Sequence, residues 1–287
     1  MNKQEQDTKR NNDKREKLRR LVEESRGIFL IEQRKAFTQV MSDLLEYHLD
    51  HSGETAIKIE RYFHTLKGSA ATLEYFPLAK LGEEYEDYLN SVKDKNVLSN
   101  DVLADFLKGL ALIQRNLLSL SSRLPVQETT INNENQITTE DERAHSENNE
   151  PIIIENVERP LDKKIRILLV EDTYFMSHLI RGKLEIMNLE VIGAHDGEEG
   201  VRKGQIECPD LMIVDLMLPK MDGFEVCRQI RANPKTKNIK IMIMSARKSK
   251  EDVIRCYKLG IEEYIVKPFT LEDLEQRIKR LLELDQL

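Results

Sequence analysis

The chain of 287 residues has no tryptophan, and its eight phenylalanines and eight tyrosines bring the aromatic content to only 6%. Cysteine is nearly missing too. Cys208, Cys227 and Cys256 lie far apart without metal-ligand spacing, so they read as reduced thiols rather than a disulfide framework. No apolar run approaches the ~20 residues that a membrane span needs. The opening stretch, MNKQEQDTKRNNDKREK, has no apolar core of the kind a signal peptide carries. These absences make a cytoplasmic protein the expectation. No basic cluster is interleaved with aromatics, and the formal net charge is −7. A dedicated nucleic-acid binder carries the opposite balance, so no nucleic-acid partner is expected. Strings that cradle nucleotide phosphates are absent: there is no Walker A motif and no kinase glycine-rich loop. The chain is therefore not expected to phosphorylate itself from ATP.

What is present suits about two domains of roughly 100–150 residues each. Charged residues make up 33% of the chain and hydrophobic ones 40%, enough for ordinary cores under a solvated surface. Residues 1–16 are polar and mixed in charge, and an unordered tail is expected there. Residues 17–123 carry a helical pattern. Leu18, Leu21 and Val22 open an apolar stripe, and Phe37, Val40, Met41, Leu44 and Leu45 continue it. A break follows at Asp50-His51-Ser52-Gly53. The next helix starts near Glu54, and Ile59, Phe63, Leu66, Ala70 and Leu73 mark its buried face by steps of 4, 3, 4 and 3. A third helix starts at Pro77 and a fourth covers 99–120, capped by Ser99 or Asn100. Amphipathic helices joined by short connections read as an up-down bundle.

Residues 124–163 read as a linker. Between 127 and 151 there are seven acidic residues and one basic residue, Arg143. Ile152-Ile153-Ile154 interrupts this polarity and could dock on a domain or be simply an exposed apolar patch. From Lys164 onward, apolar runs at 165–170, 190–194, 211–216, 239–244 and 264–266 alternate with amphipathic segments. Continuous Ile/Leu/Val/Met runs suit strands buried on both faces. The alternation predicts a doubly wound α/β domain over 164–287, with its site at the carboxyl ends of the strands.

Two constellations carry chemistry. The first is His64-Thr65-Leu66-Lys67-Gly68-Ser69-Ala70. His64 follows the core position Phe63, so its side chain turns about 100° from the apolar stripe, toward the boundary or the solvent. Lys67 lies one turn on and can hold a phosphoryl oxygen. Gly68 costs about 1 kcal/mol in mid-helix, and clearance for a partner's loops would explain it. The remaining histidines lack such surroundings. His48 and His51 have no further metal ligands, His145 falls in the linker, and His178 and His195 read as surface residues. The string His-x-x-Lys-Gly-x-Ala in a helical domain closely resembles the histidine phosphotransfer (HPt) family over residues 17–123. That resemblance implies a four-helix bundle with His64 as phospho-acceptor on its second long helix.

The second constellation lies at four strand ends. Glu171-Asp172 follows the first strand, Asp215 ends the third, Ser245-Ala246 ends the fourth and Lys267-Pro268 the fifth. An isolated acidic residue after a strand could be a helix cap; a matching set at four strand ends is not. In the order 2-1-3-4-5 the first and third strands are neighbours, so three carboxylates converge and repel one another unless a cation joins them. Hard oxygen ligands select Mg²⁺. The set resembles response-regulator receiver domains over residues 164–287. The resemblance implies that Asp215 accepts phosphate and that Asp172 binds Mg²⁺ directly. Glu171 would do so through water, with the Met217 carbonyl completing the set. It further implies that Ser245 and Lys267 bind the phosphoryl group and that Tyr264 is a switch aromatic. Met221-Asp222-Gly223 matches the turn before the third helix, and a cis Lys267-Pro268 bond is a family expectation. Glu171 in place of Asp and Ser245 in place of Thr are mild departures.

Together these readings predict a multidomain phosphorelay protein, an all-α four-helix bundle plus an α/β flavodoxin-like receiver. It would pass a phosphoryl group between His64 and receiver aspartates, including its own Asp215. Histidine kinases and other receiver or HPt proteins are the expected partners, with a receiver-mediated dimer among them. Since the chain stops after the fifth receiver helix, no output domain is expected within it. Two alternatives are the regulatory part of a longer diguanylate cyclase and a phosphorylation-gated adaptor.

Overall fold

The computed structural model describes residues 3–50, 53–92, 99–122, 164–246 and 249–284. The expected linker and the Ile152-Ile153-Ile154 patch lie outside these residues, as do His51 and His145.

Four helices form the first part: α1 (Lys3–Asp50), α2 (Gly53–Thr72), α3 (Phe76–Val92) and α4 (Asn100–Ser121). Where the sequence suggests an unordered tail, α1 is helical from Lys3, although the side chains described before Leu18 are exposed. A helix nucleated on buried turns extends at the gain of one hydrogen bond per residue, and Lys, Arg, Glu and Gln are good helix formers. The predicted stripe of α2 is its core face: Ile59, Phe63, Leu66 and Ala70 are fully buried and Leu73 nearly so. On α1, Val40, Leu44 and Tyr47 are buried, but Leu45 is half-exposed. It stands about 100° from Leu44, off the stripe. Ser99 is the cap of α4, its hydroxyl accepting from the Val102 N–H. Helices α2 and α3 come unusually close at Gly82, where a Cβ would stand 2.7 Å from the Lys67 backbone nitrogen.

The second part alternates strands and helices: β1 (Arg166–Val170), α5 (Tyr174–Ile186), β2 (Glu190–Ala194), α6 (Gly197–Glu207), β3 (Leu211–Asp215), α7 (Gly223–Ala232), β4 (Lys240–Ser245), α8 (Lys250–Lys258), β5 (Glu263–Val266) and α9 (Leu271–Leu282). All pairings are parallel and the order is β2-β1-β3-β4-β5, as expected. Strand β3 is buried throughout, and one sheet face packs Leu168, Val170, Met212 and Val214 against Val226 and Ile230 of α7. The opposite face packs Ile167, Leu169, Leu211 and Ile213 against Phe175, Met176 and Leu179 of α5.

That second core is continuous with the core of the bundle. The join runs along α1 and α5. Phe29 of α1 lies between Tyr75, at 5.8 Å, and Phe175 of α5, at 5.5 Å. Leu21 of α1 fills the space over Gly182 of α5. The two parts are thus packed together, with the face of α2 that carries Arg61 and Gly68, either side of His64, turned toward the carboxyl ends of the strands.

Candidate functional site

Parallel strands deliver their carboxyl ends to one edge of the sheet, and the predicted residues gather there. Glu171, Asp172 and Asp215 place carboxylate oxygens within 4.8 Å of one another. Lys267 is buried after β5, and its ammonium donates to Glu171 Oε2 at 2.9 Å and to Asp215 Oδ2 at 2.5 Å. The Met217 backbone N–H donates to Asp215 Oδ1 at 3.0 Å. Ser245 is fully buried at the end of β4, and its carbonyl accepts from the Lys267 N–H at 2.7 Å. The Lys267-Pro268 bond is cis, as the resemblance implied. Gly223 follows Asp222, the cap of α7, and an added Cβ there would stand 2.3 Å from the Asp215 carbonyl oxygen. Only glycine lets that turn close beneath Asp215. Tyr264 is buried on β5 in the α7-side core, which places its ring off the exposed rim.

The electrostatics of this pocket are those of a site short of positive charge. Burial raises the Glu171 carboxyl far above its ordinary value, Lys267 opposes the rise, and Asp215 and Asp172 add to it. Asp172 is raised by burial and by the Asp215 charge, against Arg61 and Lys267. Asp215 alone ends below its usual range. Its burial is outweighed by the charge and hydrogen bond of Lys267, the Met217 N–H and the charge of His64. A divalent cation would relieve the repulsion, and the donors are all hard oxygens, so the residues fit Mg²⁺.

On α2, His64 is buried rather than exposed. The helical wheel directed it to the boundary of the bundle core; there it is held against Glu86 of α3, on the helix face whose neighbours Arg61 and Gly68 meet the receiver. Its ring is held by a residue that the sequence reading did not single out. Glu86 of α3 takes His64 Nδ1 at 2.6 Å on one oxygen and the Lys67 ammonium at 2.5 Å on the other. Burial would raise the Glu86 carboxyl, but His64 and Lys67 hold it below the ordinary range, so it is ionised and can only accept. Nδ1 must therefore carry a proton toward Glu86, which makes Nε2 the ring nitrogen that faces away from it. That Nε2 is buried without a hydrogen-bond partner among the described residues. Nothing in the local string points to Glu86; a signal existed only in its place on the third helix, 22 residues on.

The two sites meet. A Cβ on Gly68 would lie 3.5 Å from Lys267 Cβ and 3.8 Å from Ala246 Cβ, ordinary contact distances across the seam. Arg61, one turn before His64, donates to Asp172 Oδ2 at 2.5 Å. The sequence reading missed Arg61 too, because its partner lies 111 residues away.

Comparison with known proteins finds two known domains in the chain. The family model of the Hpt domain matches residues 24–120, and that of the response regulator receiver domain matches residues 167–279. Curated relatives include the alkaline phosphatase synthesis transcriptional regulatory protein PhoP of Bacillus subtilis, 37% identical over 117 residues, or 41% of this chain and 48% of that protein. The response regulator ArlR of Staphylococcus saprophyticus is 39% identical over 117 residues, covering 41% of this chain and 52% of its own. The chain thus spans about half the length of the curated relatives it matches. Among solved structures, the chemotaxis response regulator CheY4 of Vibrio cholerae is 28% identical with a TM-score of 0.40, covering 42% of this chain and 99% of its own. The receiver domain of a sensor histidine kinase from Pseudomonas aeruginosa, solved with a magnesium ion in its active-site cleft, gives the same four figures. Among the described residues no helix is long and apolar enough to cross a membrane. The chain therefore joins an Hpt domain to a response regulator receiver domain, the pair of domains that serves two-component phosphorelay signalling.

Proposed function

We propose that this chain is a phosphoryl carrier that moves a phosphoryl group between His64 and receiver aspartates, its own Asp215 among them. It would take the group from a histidine kinase or another phosphorelay protein rather than from ATP. One observation carries the reading: the unpartnered Nε2 of His64 lies on the same seam as the Lys267–Asp215 pair.

Each residue has a role in that transfer. Glu86 keeps the proton on Nδ1, so Nε2 leaves as neutral imidazole. In the direction toward aspartate, the Nε2–P bond breaks and its electron pair returns to the ring. An Asp215 oxygen forms the new P–O bond as a carboxylate, with no proton to lose, and its lowered pKa suits that. Lys267 and the Ser245 hydroxyl would hold phosphoryl oxygens, with Lys67 offering a further cation on the histidine side. Mg²⁺ would be held by Glu171, Asp172, Asp215 and the Met217 carbonyl, and would neutralise charge on the transferring oxygens. Tyr264 would respond when Ser245 shifts toward phosphate. The cyclase-regulator and adaptor readings gain no support from any specific feature of the described residues.

The test is labelling with radioactive phosphoryl donors. Wild type is expected to carry an acid-labile, base-stable label on His64 and a base-labile one on Asp215. Label persisting on the His64→Gln, Asp215→Asn double variant would overturn the assignment.

A further inference from the structure

Helix α1 is far longer than the bundle requires. It has 48 residues, against 20, 17 and 22 for α2, α3 and α4. The Hpt match begins only at residue 24. Yet Leu21, before that boundary, is buried. The three heavy atoms nearest to a Cβ built on Gly182 of α5 all belong to Leu21, the closest at 2.5 Å. A leucine outside the Hpt match thus occupies a notch in the receiver that only glycine leaves open.

A second contact is polar. Helices α6, α7, α8 and α9 each receive a cap from their own N-cap side chain, Asp196, Asp222, Ser249 and Thr270. Helix α5 does not; Thr173 makes no side-chain cap bond. Its cap comes from the other domain. Glu32 of α1 accepts the Tyr174 N–H on one oxygen at 2.9 Å and the Phe175 N–H on the other at 3.0 Å. A carboxylate at a helix N-terminus satisfies orphan donors and favours the dipole. With Phe29 on Phe175, these contacts space three side chains of α1, at 21, 29 and 32, along the length of α5.

We propose that α1 is a docking arm for the receiver of the same chain. It holds α5 so that Asp215 faces His64, and phosphoryl transfer in cis is thereby favoured over transfer to a separate receiver. Leu21 and Glu32 are positioning residues: neither touches the reacting atoms. This rests on the reading of His64 and Asp215 as the phosphoryl sites. The geometry sets the consequence. A flexible tether by itself gives an effective concentration near the mM range, so cis transfer already outruns micromolar trans transfer by roughly 10²–10³-fold, and the docked arm raises the cis rate above that level.

The experiment compares full chains. Wild type is labelled on His64, and appearance of label on Asp215 is timed over a range of chain concentrations. An equimolar mixture of His64→Gln and Asp215→Asn chains gives the trans rate. The docking variant is Gly182→Leu. It introduces a side chain into the space of Leu21 while replacing a mid-helix glycine by a good helix former, and labelling of its Asp215 by acetyl phosphate checks the receiver fold. Glu32→Gln is the milder variant. Expected is a first-order rate in wild type that far exceeds the mixture. Gly182→Leu should bring it close to what the linker alone gives, and Glu32→Gln should lower it roughly tenfold, the scale of a lost cap. Equal rates for wild type and mixture, or an undiminished cis rate in Gly182→Leu, would overturn the docking arm. Failure of His64 or Asp215 to take label would instead sink the phosphoryl-site reading. Small-angle scattering then still decides docking, which requires wild type to be compact and Gly182→Leu to be measurably extended.

Discussion

At the residue scale, the chemistry turns on groups that fix their neighbours. Glu86 orients the His64 ring through Nδ1 and tethers Lys67. Glu86→Ala is expected to slow phosphoryl transfer at His64 by roughly 10–100-fold, the worth of a charge-assisted hydrogen bond, with Glu86→Gln retaining more because its amide oxygen still accepts from Nδ1–H. Single-turnover rates decide this; equal rates for Glu86→Ala and wild type would remove Glu86 from the mechanism. The pH dependence follows from the lowered pKa of Glu86. Its contribution to stability is fully present above the ordinary carboxylate value of 4.5 and is lost as pH falls through the lower folded value, a slope that denaturation of Glu86→Gln should lack. Arg61 illustrates the opposite effect, a cation beside the carboxylates. Removing it should leave Asp172 more exposed to an added cation, so Arg61→Ala is expected to bind Mg²⁺ more tightly by calorimetric titration. Unchanged or weaker binding would show that Arg61 does not compete there.

At the element scale, close backbone approach does the positioning. Helices α2 and α3 must meet at Gly82 for Glu86 to reach His64, and a Cβ there would stand 3.1 Å from the Phe63 carbonyl oxygen and nearer still to Lys67. Gly82→Ala is expected to destabilise the bundle by about 1–3 kcal/mol in chemical denaturation and to slow transfer at His64. Gly68 lies under no such constraint. An added methyl would sit at ordinary contact distance from Lys267 and Ala246. Gly68→Ala should therefore raise helix stability by up to about 1 kcal/mol and keep transfer in cis, whereas Gly68→Leu should block the seam. A large loss of transfer in Gly68→Ala would contradict this geometry.

At the scale of the whole molecule, both proposed acceptors are nearly closed to solvent. His64 and Asp215 are each only 5% exposed. On the proposed function, a kinase or a second receiver would reach His64 only after the domains part, so a docked and an open form would trade access for proximity. His64 is accordingly expected to react slowly with diethyl pyrocarbonate in wild type and faster in Gly182→Leu. Equal reactivity in the two would mean that His64 is not shielded by the receiver.

Periodicity along the chain determined most of the architecture. Apolar steps of 3 and 4 placed the buried face of α2, and short apolar runs placed the five strands, because side-chain direction repeats with the backbone of each element. Chemistry at strand ends was legible for the same reason: a parallel sheet brings Glu171, Asp172, Asp215, Ser245 and Lys267 to one edge whatever lies between them. The helical start of α1 was not legible, since its polar first turns carry no burial signal and order follows from the helix they extend. Nor were Glu86, Arg61, Leu21 and Glu32. Each acts on a residue of another element, 22 to 161 positions away, and no local spacing encodes such a contact. Only tertiary packing decided that His64 would be covered, because the surface its helix turned outward is the one the receiver occupies.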